Sequence, residues 1–485
     1  MLRPKSPPSP LARRLTFQLI GLCCAAYLTG CAQLPSDTAT SQIRRVDEFQ
    51  SHMSFQAANA AWPAEQWWHA YGDAQLNALI EEAMAASPTL MAATARVQRA
   101  DAMTQIAGSS TKPQVSANAS VSQDKLSTNY LTPKAVTPSG WNDYGRATVN
   151  LQWELDFWGK NRASLAAATS ELQAGQAELA QVRLILASGI ASHYAELSRL
   201  FALRDIAKRS VELHSQTSAL VKRRLDRGLD TRATLHEADA HRAEAESSVL
   251  ALEEQIALQR NCLAALMGAG PDRGLSIVKP TLKLEHSFGL PTELAVNLLG
   301  RRPDVVAARL QAEAQASRIE QKKTEFYPNV NLNAFIGVQS LGIDMLSKDG
   351  SSIGSVGPAI SLPIFTGGRL RGELRGAQAR YTEAVANYNA AIANALQEVA
   401  DAAVSQKALN QQTLKAQEAF EANSEAYHLT RLRYAAGLAS AIELLSVENR
   451  RLQSQTELTH LRSVSFSLDI ALKRALGGGF QTAQR

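Results

Sequence analysis

Four stretches of the chain alternate between apolar and polar positions. Val115, Ala117, Ala119 and Val121 interleave with Ser116, Asn118, Ser120 and Ser122, and Val149, Leu151 and Trp153 with Asn150, Gln152 and Glu154. Val330, Leu332, Ala334 and Ile336 repeat the pattern, as do Ile360, Leu362 and Ile364. A period of two puts successive side chains on opposite faces, so each stretch predicts a strand with one apolar and one polar face. Loops rich in Pro, Gly, Ser and Asn at 124–143 and 341–355 join these strands into two hairpins. Elsewhere the period lengthens to seven. Leu165, Leu172, Leu179 and Leu186 recur with Ala168, Gly175, Val182 and Gly189 between them, and no proline interrupts 160–227. Leu374, Tyr381, Tyr388 and Ala395 repeat this in the second half. A sustained seven-residue period predicts helices wound about one another with a left-handed twist. A rod of roughly 66 residues, at 1.5 Å each, would reach ~100 Å.

The two halves keep the same spacing. Pro88 and Pro113 stand 25 residues apart, as do Pro303 and Pro328, and Gly159–Gly228 and Gly368–Gly437 both span 69 residues. The chain therefore reads as a tandem duplication. Each first proline suits the start of a helix, and each second one follows an alanine-rich segment and opens an alternating run. After each rod the chain turns at Arg227-Gly228-Leu229 and at Ala436-Gly437-Leu438. Return helices are expected from about Thr231 to Leu266 and from Ala439 to Leu476. Helices at 304–327 and near 88–112 would complete the length by stacking end to end on them. The expected segments are 1–30, 31–75, 76–280 and 290–477 as the two repeats, and 478–485 as a tail.

Each hairpin fits a soluble sheet with one wet face, or part of a transmembrane barrel with lipid outside and water inside. Four strands cannot close a barrel alone, and unpaired edges in lipid are prohibitively costly. Strands that span a membrane would thus have to be completed by other copies.

The N-terminus favours the membrane reading. Arg3, Lys5, Arg13 and Arg14 precede an apolar run, Leu15 to Leu28, that ends in Leu28-Thr29-Gly30-Cys31. A basic stretch, a short apolar core and small residues before a cut describe a secretory signal, with residues 1–30 removed. The formal net charge of +5 suggests a nucleic-acid partner until those four cations leave with the signal; the remainder is near neutral, and no nucleic-acid partner is expected. The last four residues resemble the bacterial lipobox, in which the thiol of Cys31 would take a diacylglycerol. Ala32 follows in place of the Asp that retains lipoproteins in the inner membrane, so the resemblance implies the outer membrane. Cys23 and Cys24 would leave with the signal and Cys31 would be acylated, so only Cys262 is left, which excludes a disulfide framework or a thiol metal site.

Several phrases then occur in a fixed order: Trp67-Trp68 to Leu79, Leu151 through Phe157-Trp158-Gly159-Lys160, Arg302-Pro303-Asp304-Val305, Phe326-Tyr327-Pro328-Asn329-Val330 and Gly357-Pro358 through Phe365. With the lipobox, they resemble the outer membrane factor family, the TolC-like efflux proteins, in the lipoprotein branch that serves resistance-nodulation-division pumps. The resemblance covers nearly everything after residue 60. It implies a mainly α fold with a transmembrane β-barrel: a homotrimer whose twelve-stranded barrel continues into a twelve-helix periplasmic tunnel. Residues about 35–75, 269–300 and 477–485 would form a mixed equatorial girdle.

No catalytic constellation emerges, and neither an enzyme nor a cofactor is expected. His214, His236 and His241 sit on the helical rods without a metal quartet or a paired acid and base, and read as packed or solvated helical histidines. Gly367-Gly368 follows a strand as a phosphate loop would, yet lacks the Gly-Lys-Ser/Thr ending and fits a tight strand-to-helix turn.

The glycine turns are the leading candidates for function. They mark the helical-hairpin ends farthest from the membrane, and in the family periplasmic adaptor proteins meet grooves around such tips. The contact residues expected are Leu225, Gly228, Leu229, Thr231, Ala436, Gly437, Ala439 and Ser440. Lys222, Arg223, Arg224 and Arg227 make the first tip basic, which would suit an acidic adaptor surface. The bland alternative is a helix C-cap and a solvated end.

Family members constrict near the second tip. The resemblance places a hydrophobic gate residue at Ile442 and an acidic one at Ser446, which lacks the charge. Glu443 is the nearby acid that three copies would bring into a ring. The function implied is passive export of drugs or other toxic small molecules, delivered by an inner-membrane pump and a periplasmic adaptor, through a lipid-anchored channel extending from the outer membrane into the periplasm. Metal-ion efflux or type I protein secretion through the same architecture remains open, as does a lipid-tethered coiled-coil scaffold.

Overall fold

A computed structural model describes residues 42–44, 48–49, 55, 59–129, 133–282, 289–291 and 294–481. The expected signal segment and Cys31 lie outside them. After a 3-10 turn at Trp67–Tyr71, the order is α1 (Ala74–Ala86), α2 (Pro88–Ser109), β1 (Gln114–Asp124), β2 (Asn142–Glu154), α3 (Lys160–Asp226), α4 (Arg232–Leu266), α5 (Pro271–Leu275), α6 (Leu294–Arg301), α7 (Pro303–Thr324), β3 (Asn329–Leu341), β4 (Ser352–Ser361), α8 (Arg369–Ala435) and α9 (Ala441–Ala475). The long helices of the two halves match in length. Helices α3 and α8 each have 67 residues, α4 and α9 each 35, and α2 and α7 each 22.

Several boundaries differ from the sequence expectation for local reasons. Helices α2 and α7 end at Ser109 and Thr324, short of 112 and 327, where tighter turns take over: the Lys112 N–H donates to the Ser109 carbonyl and the Tyr327 N–H to that of Thr324, just before Pro113 and Pro328. The return helices begin at Arg232 and Ala441, because Thr231 and Ser440 are extended N-caps whose hydroxyls accept from the Thr234 and Glu443 N–H groups. Ala439 therefore lies outside its helix. Strand β4 starts at Ser352, inside the expected loop, and stops at Ser361. Leu362 and Ile364 are not in the strand: Ser361 already pairs with Asn329, the first residue of β3, and neither Pro328 nor Pro363 has an N–H with which to extend the ladder.

Two compact units can be distinguished: Arg99–Gln173 with Leu310–Ala386, and Ile43–Gln98 with Ala174–Arg309 and Asn387–Arg485. The first holds a four-stranded antiparallel sheet in the order β1-β2-β3-β4. Its register aligns the apolar positions of all four strands. Val115 opposes Leu151, Leu151 opposes Ala334, and Ala334 opposes Val356. The other face is polar, with Asn118 opposite Thr148 and Gln152 opposite Asn333, and the Arg146 guanidinium 5.3 Å above the Phe335 ring. The apolar face is bare in a single chain: Val115, Ile336, Val356 and Ile360 are each about two-thirds exposed or more. Where β2 leads toward α3, Trp158 stacks on Tyr327 at 4.9 Å and donates to the Pro328 carbonyl at 2.8 Å.

In the second unit, a core forms around Trp67, Trp68, Tyr71, Leu76, Leu79 and Ile80 against Ile190, Tyr194, Leu197 and Phe201 of α3 and Leu263 of α4. A matching core joins Leu294 and Leu298 of α6 and Val305 of α7 to Tyr388, Ile392 and Val399 of α8 and Leu472 of α9. The buried rows of α3 do recur every seven residues, as Ala177, Leu184 and Ala191 and as Ala187, Tyr194 and Phe201. Leu172 and Leu179 of the predicted seam remain half-exposed in the single chain.

End-to-end packing is visible in both halves. Gly268, just past α4, has φ +79°, and a side chain there would come within 2.6 Å of the Pro88 ring that opens α2. Gly477, just past α9, has φ +85°, and a Cβ would collide with the Arg301 carbonyl just before α7. Only glycine combines that backbone with so close an approach.

Two polar anchors fix this unit. Asp73 is 3% exposed. Its Oδ1 caps α1 by accepting from the Gln75 and Leu76 N–H groups, and its Oδ2 accepts from the Thr281 N–H at 2.7 Å, the Thr281 hydroxyl and the Tyr194 hydroxyl. Burial alone would raise this carboxyl, but those hydrogen bonds outweigh it and hold the group below its ordinary value. Arg302, 4% exposed, reaches Asp304 at 2.6 Å, Glu398 at 2.7 Å and the Ala475 carbonyl at 3.1 Å, tying α7, α8 and α9 together.

Candidate docking tips and channel residues

The two hairpin tips are built alike. At the first, Gly228 (φ +71°) donates to the Leu225 carbonyl and Leu229 to that of Arg224; at the second, Gly437 (φ +75°) donates to Tyr434 and Leu438 to Arg433. This pair of bonds closes a helix through a left-handed residue, which glycine adopts without strain. An arginine then folds across each turn. Arg224 donates to the Leu229 carbonyl and pairs with Asp230 at 3.1 Å. Its counterpart Arg433 donates to the Leu438 carbonyl and pairs with Glu443 at 3.2 Å. The clasp is duplicated, but its acid has moved: Asp230 corresponds to Ala439, and Glu443 to Thr234. Hydrogen bonds from the Thr231 N–H and the Thr234 hydroxyl, with Arg224 alongside, hold the Asp230 carboxyl below the ordinary range.

The clasps change what the tips present. Lys222, Arg223 and Arg227 stay exposed, while Arg224 is drawn into its turn. Gly228, Leu229, Thr231, Ala436, Gly437 and Ser440 are exposed, and Leu225 and Ala439 half-buried. Leu229 is 63% exposed, and Leu438, its duplicate, 71%. Leu438 was not among the sequence candidates, although its offset from Leu229 equals that between the glycines. Of the gate candidates, Ile442 and Ser446 lie one turn apart on α9 and are exposed, and Glu443 sits beside them with its carboxylate engaged by Arg433.

Among the described residues, no group of three or more His, Cys, Asp or Glu side chains is placed to hold a metal ion. Nor is any helix there long and apolar enough to cross a membrane. Folding about Gly228 does bring histidines opposite partners that the sequence reading left apart. His214 on α3 meets His241 on α4, with ring centroids 5.9 Å apart, and His193 on α3 meets Cys262 on α4 at 3.6 Å. Each pair is nearly equidistant in sequence from Gly228, a signal that hairpin register alone supplies.

Known proteins share these features. Residues 79–269 and 294–478 match the family described as outer membrane efflux protein, once in each half. The chain is 35% identical over 375 residues to the fusaric acid resistance protein FusA of Burkholderia cepacia, covering 76% of this chain and 70% of that one. It is 29% identical over 478 residues to the multidrug resistance outer membrane protein MdtP of Escherichia coli, covering 97% of each. The crystal structure of the outer membrane protein VceC from Vibrio cholerae superposes with a TM-score of 0.81 at 44% identity, over 87% of this chain and all of that one. The outer membrane channel CmeC of Campylobacter jejuni shares the fold at a TM-score of 0.82 and 21% identity, over 94% of this chain and 96% of that one. The long duplicated helices, the open antiparallel sheet and a match in each half together place this chain in the outer membrane efflux protein family, whose members are passive outer-membrane channels and not enzymes.

Proposed function

We propose that the protein works as a homotrimer in which three four-stranded sheets close a twelve-stranded barrel in the outer membrane and the helices of three chains form a twelve-helix periplasmic tunnel. The observation that carries this is the sheet: β1 and β4 are edges in the single chain, and one face is apolar with Val115, Ile336, Val356 and Ile360 largely uncovered. Unpaired backbone groups are untenable in lipid, so partner strands must supply the missing ladders. The half-exposed Leu172 and Leu179 then pack between chains.

Drugs or other toxic small molecules enter from an inner-membrane pump through a periplasmic adaptor, and the channel passes them outward without an energy source of its own. The names of the relatives MdtP and FusA, both resistance proteins, support that cargo class. The adaptor meets the two tips at Leu225, Gly228, Leu229, Thr231, Ala436, Gly437, Ala439 and Ser440, with Leu438 added on its exposure. Ile442, Glu443 and Ser446 line the constriction, and Glu443 carries its charge there partly neutralised by Arg433. Cys31 anchors the chain to outer-membrane lipid.

Purified full-length protein tests the assembly. A detergent-resistant trimer that conducts in a planar bilayer is expected; a water-soluble monomer without conductance overturns it. Deleting the gene should sensitise cells to drugs or dyes. Sensitivity confined to metal salts, or loss of a secreted protein, would replace the cargo assignment and leave the channel standing.

A further inference from the structure

We infer that the first helical hairpin carries a two-histidine site for a divalent transition-metal ion, made by His214 of α3 and His241 of α4. The two rings approach each other across the hairpin, with centroids 5.9 Å apart and planes inclined by 34°. With a metal–nitrogen bond of about 2.1 Å and about 1.1 Å from that nitrogen to the ring centre, two imidazoles on one ion have centroids about 4.5 Å apart at a right angle and about 6.4 Å apart in a line. The observed separation corresponds to a nitrogen–metal–nitrogen angle of roughly 135°, so side-chain movement of less than about 1 Å brings the pair to the tetrahedral separation of about 5.2 Å.

The surroundings suit a ligand pair. Glu244 lies 3.2 Å from Nδ1 of His241, the arrangement in which a carboxylate orients a ligating histidine and leaves Nε2 for the metal. The His214 ring makes no hydrogen bond among the described residues. Arg242 does not compete, because Asp239 at 3.8 Å and Glu246 at 3.5 Å engage its guanidinium. His241 and Glu244 are more than half exposed, so an ion has access from solvent.

The second hairpin offers an internal comparison. Its positions equivalent to His214 and His241 are Asn423 and Arg450, which cannot make the site. The pair therefore belongs to the first hairpin alone and not to the duplicated framework. One turn nearer the tip, Ser218 already joins α3 to α4 through Asp239 at 2.6 Å. A metal bound by His214 and His241 adds a second clasp and stiffens the hairpin below Gly228. Two protein nitrogens leave the remaining coordination positions to water.

The test is calorimetric titration of ZnCl2 and NiCl2 into full-length protein in detergent, purified on a tag without histidine and stripped with chelator. One ion per chain is expected. His214→Asn, which installs the residue found in the second hairpin, and His241→Ala should each weaken binding at least tenfold, and Glu244→Gln several-fold. His236→Ala and Cys262→Ser should leave it unchanged. With Cu2+, electron paramagnetic resonance should show two imidazole nitrogens, falling to one in either histidine variant. Absence of saturable binding, binding unaffected by both histidine variants, or binding lost in Cys262→Ser overturns the assignment.

Discussion

Replacing Asp73 by Asn tests what holds the first half of the helical unit together. The substitution keeps the shape and leaves Oδ1 to cap α1, but puts an NH2 donor where Oδ2 now accepts from the Thr281 N–H and the Thr281 and Tyr194 hydroxyls. The hydroxyls can rotate away; the backbone N–H cannot. A hydrogen bond to a buried charge is worth about 1.5–3 kcal/mol, and an orphaned buried donor costs about 1–3 more, so a loss of about 3 kcal/mol is expected. At about 1.4 kcal/mol per decade, that corresponds to roughly a 150-fold fall in local protection. Hydrogen exchange of the detergent-solubilised protein should show it in peptides spanning 74–80 and 277–282. The pH dependence follows from the depressed carboxyl. Its contribution is complete above the unfolded value of about 3.9 and disappears as pH falls through the lower folded value. Protection there, corrected for intrinsic rates, should therefore fall in acid for the wild type and stay flat for Asp73→Asn. Protection factors within threefold of the wild type near pH 7 would refute the reasoning.

Arg302→Met keeps the volume but strands two acids and the Ala475 carbonyl. Because Asp304 and Glu398 are 31% and 40% exposed and can rehydrate, the cost falls at the low end for a broken buried pair, about 3 kcal/mol, read as a lowered Tm. Gly477→Ala should destabilise more than Gly437→Ala, which meets open space and costs only about 1–2 kcal/mol for its left-handed backbone; equal thermal shifts would contradict the end-to-end packing. Leu229→Glu combined with Leu438→Glu should reduce drug resistance toward that of a deletion strain while the trimer stays intact by gel mobility, and full resistance would remove these leucines from the docking surface. Mass spectrometry of the mature protein should find an acylated Cys31 at the N-terminus, and Cys31→Ala should abolish the lipid mass.

How legible each feature was depends on the range of the interaction that makes it. The strands could be read because a face must be apolar, and the duplication because proline and glycine act on the local backbone. Boundaries departed from the pattern where a neighbouring residue decided the outcome. Pro328 and Pro363 cut β4 short of Leu362 and Ile364, and the Ser440 cap pushed the start of α9 past Ala439. Leu438 at the second tip is marked by the repeat alone, as the equivalent of Leu229, and the arginine clasps could not be read because the acid occupies different positions in the two copies.

The sequence by itself determined the periodic elements, their duplication and the turns between them, since these follow from side-chain alternation and from what proline and glycine permit locally. Only the tertiary structure decided that β2 pairs with β3, that Asp73 gathers donors from α1, α3 and the segment at Thr281, and that His214 faces His241. Those outcomes depend on which distant groups are brought within about 3–6 Å of each other, and a one-dimensional pattern carries no term for that distance.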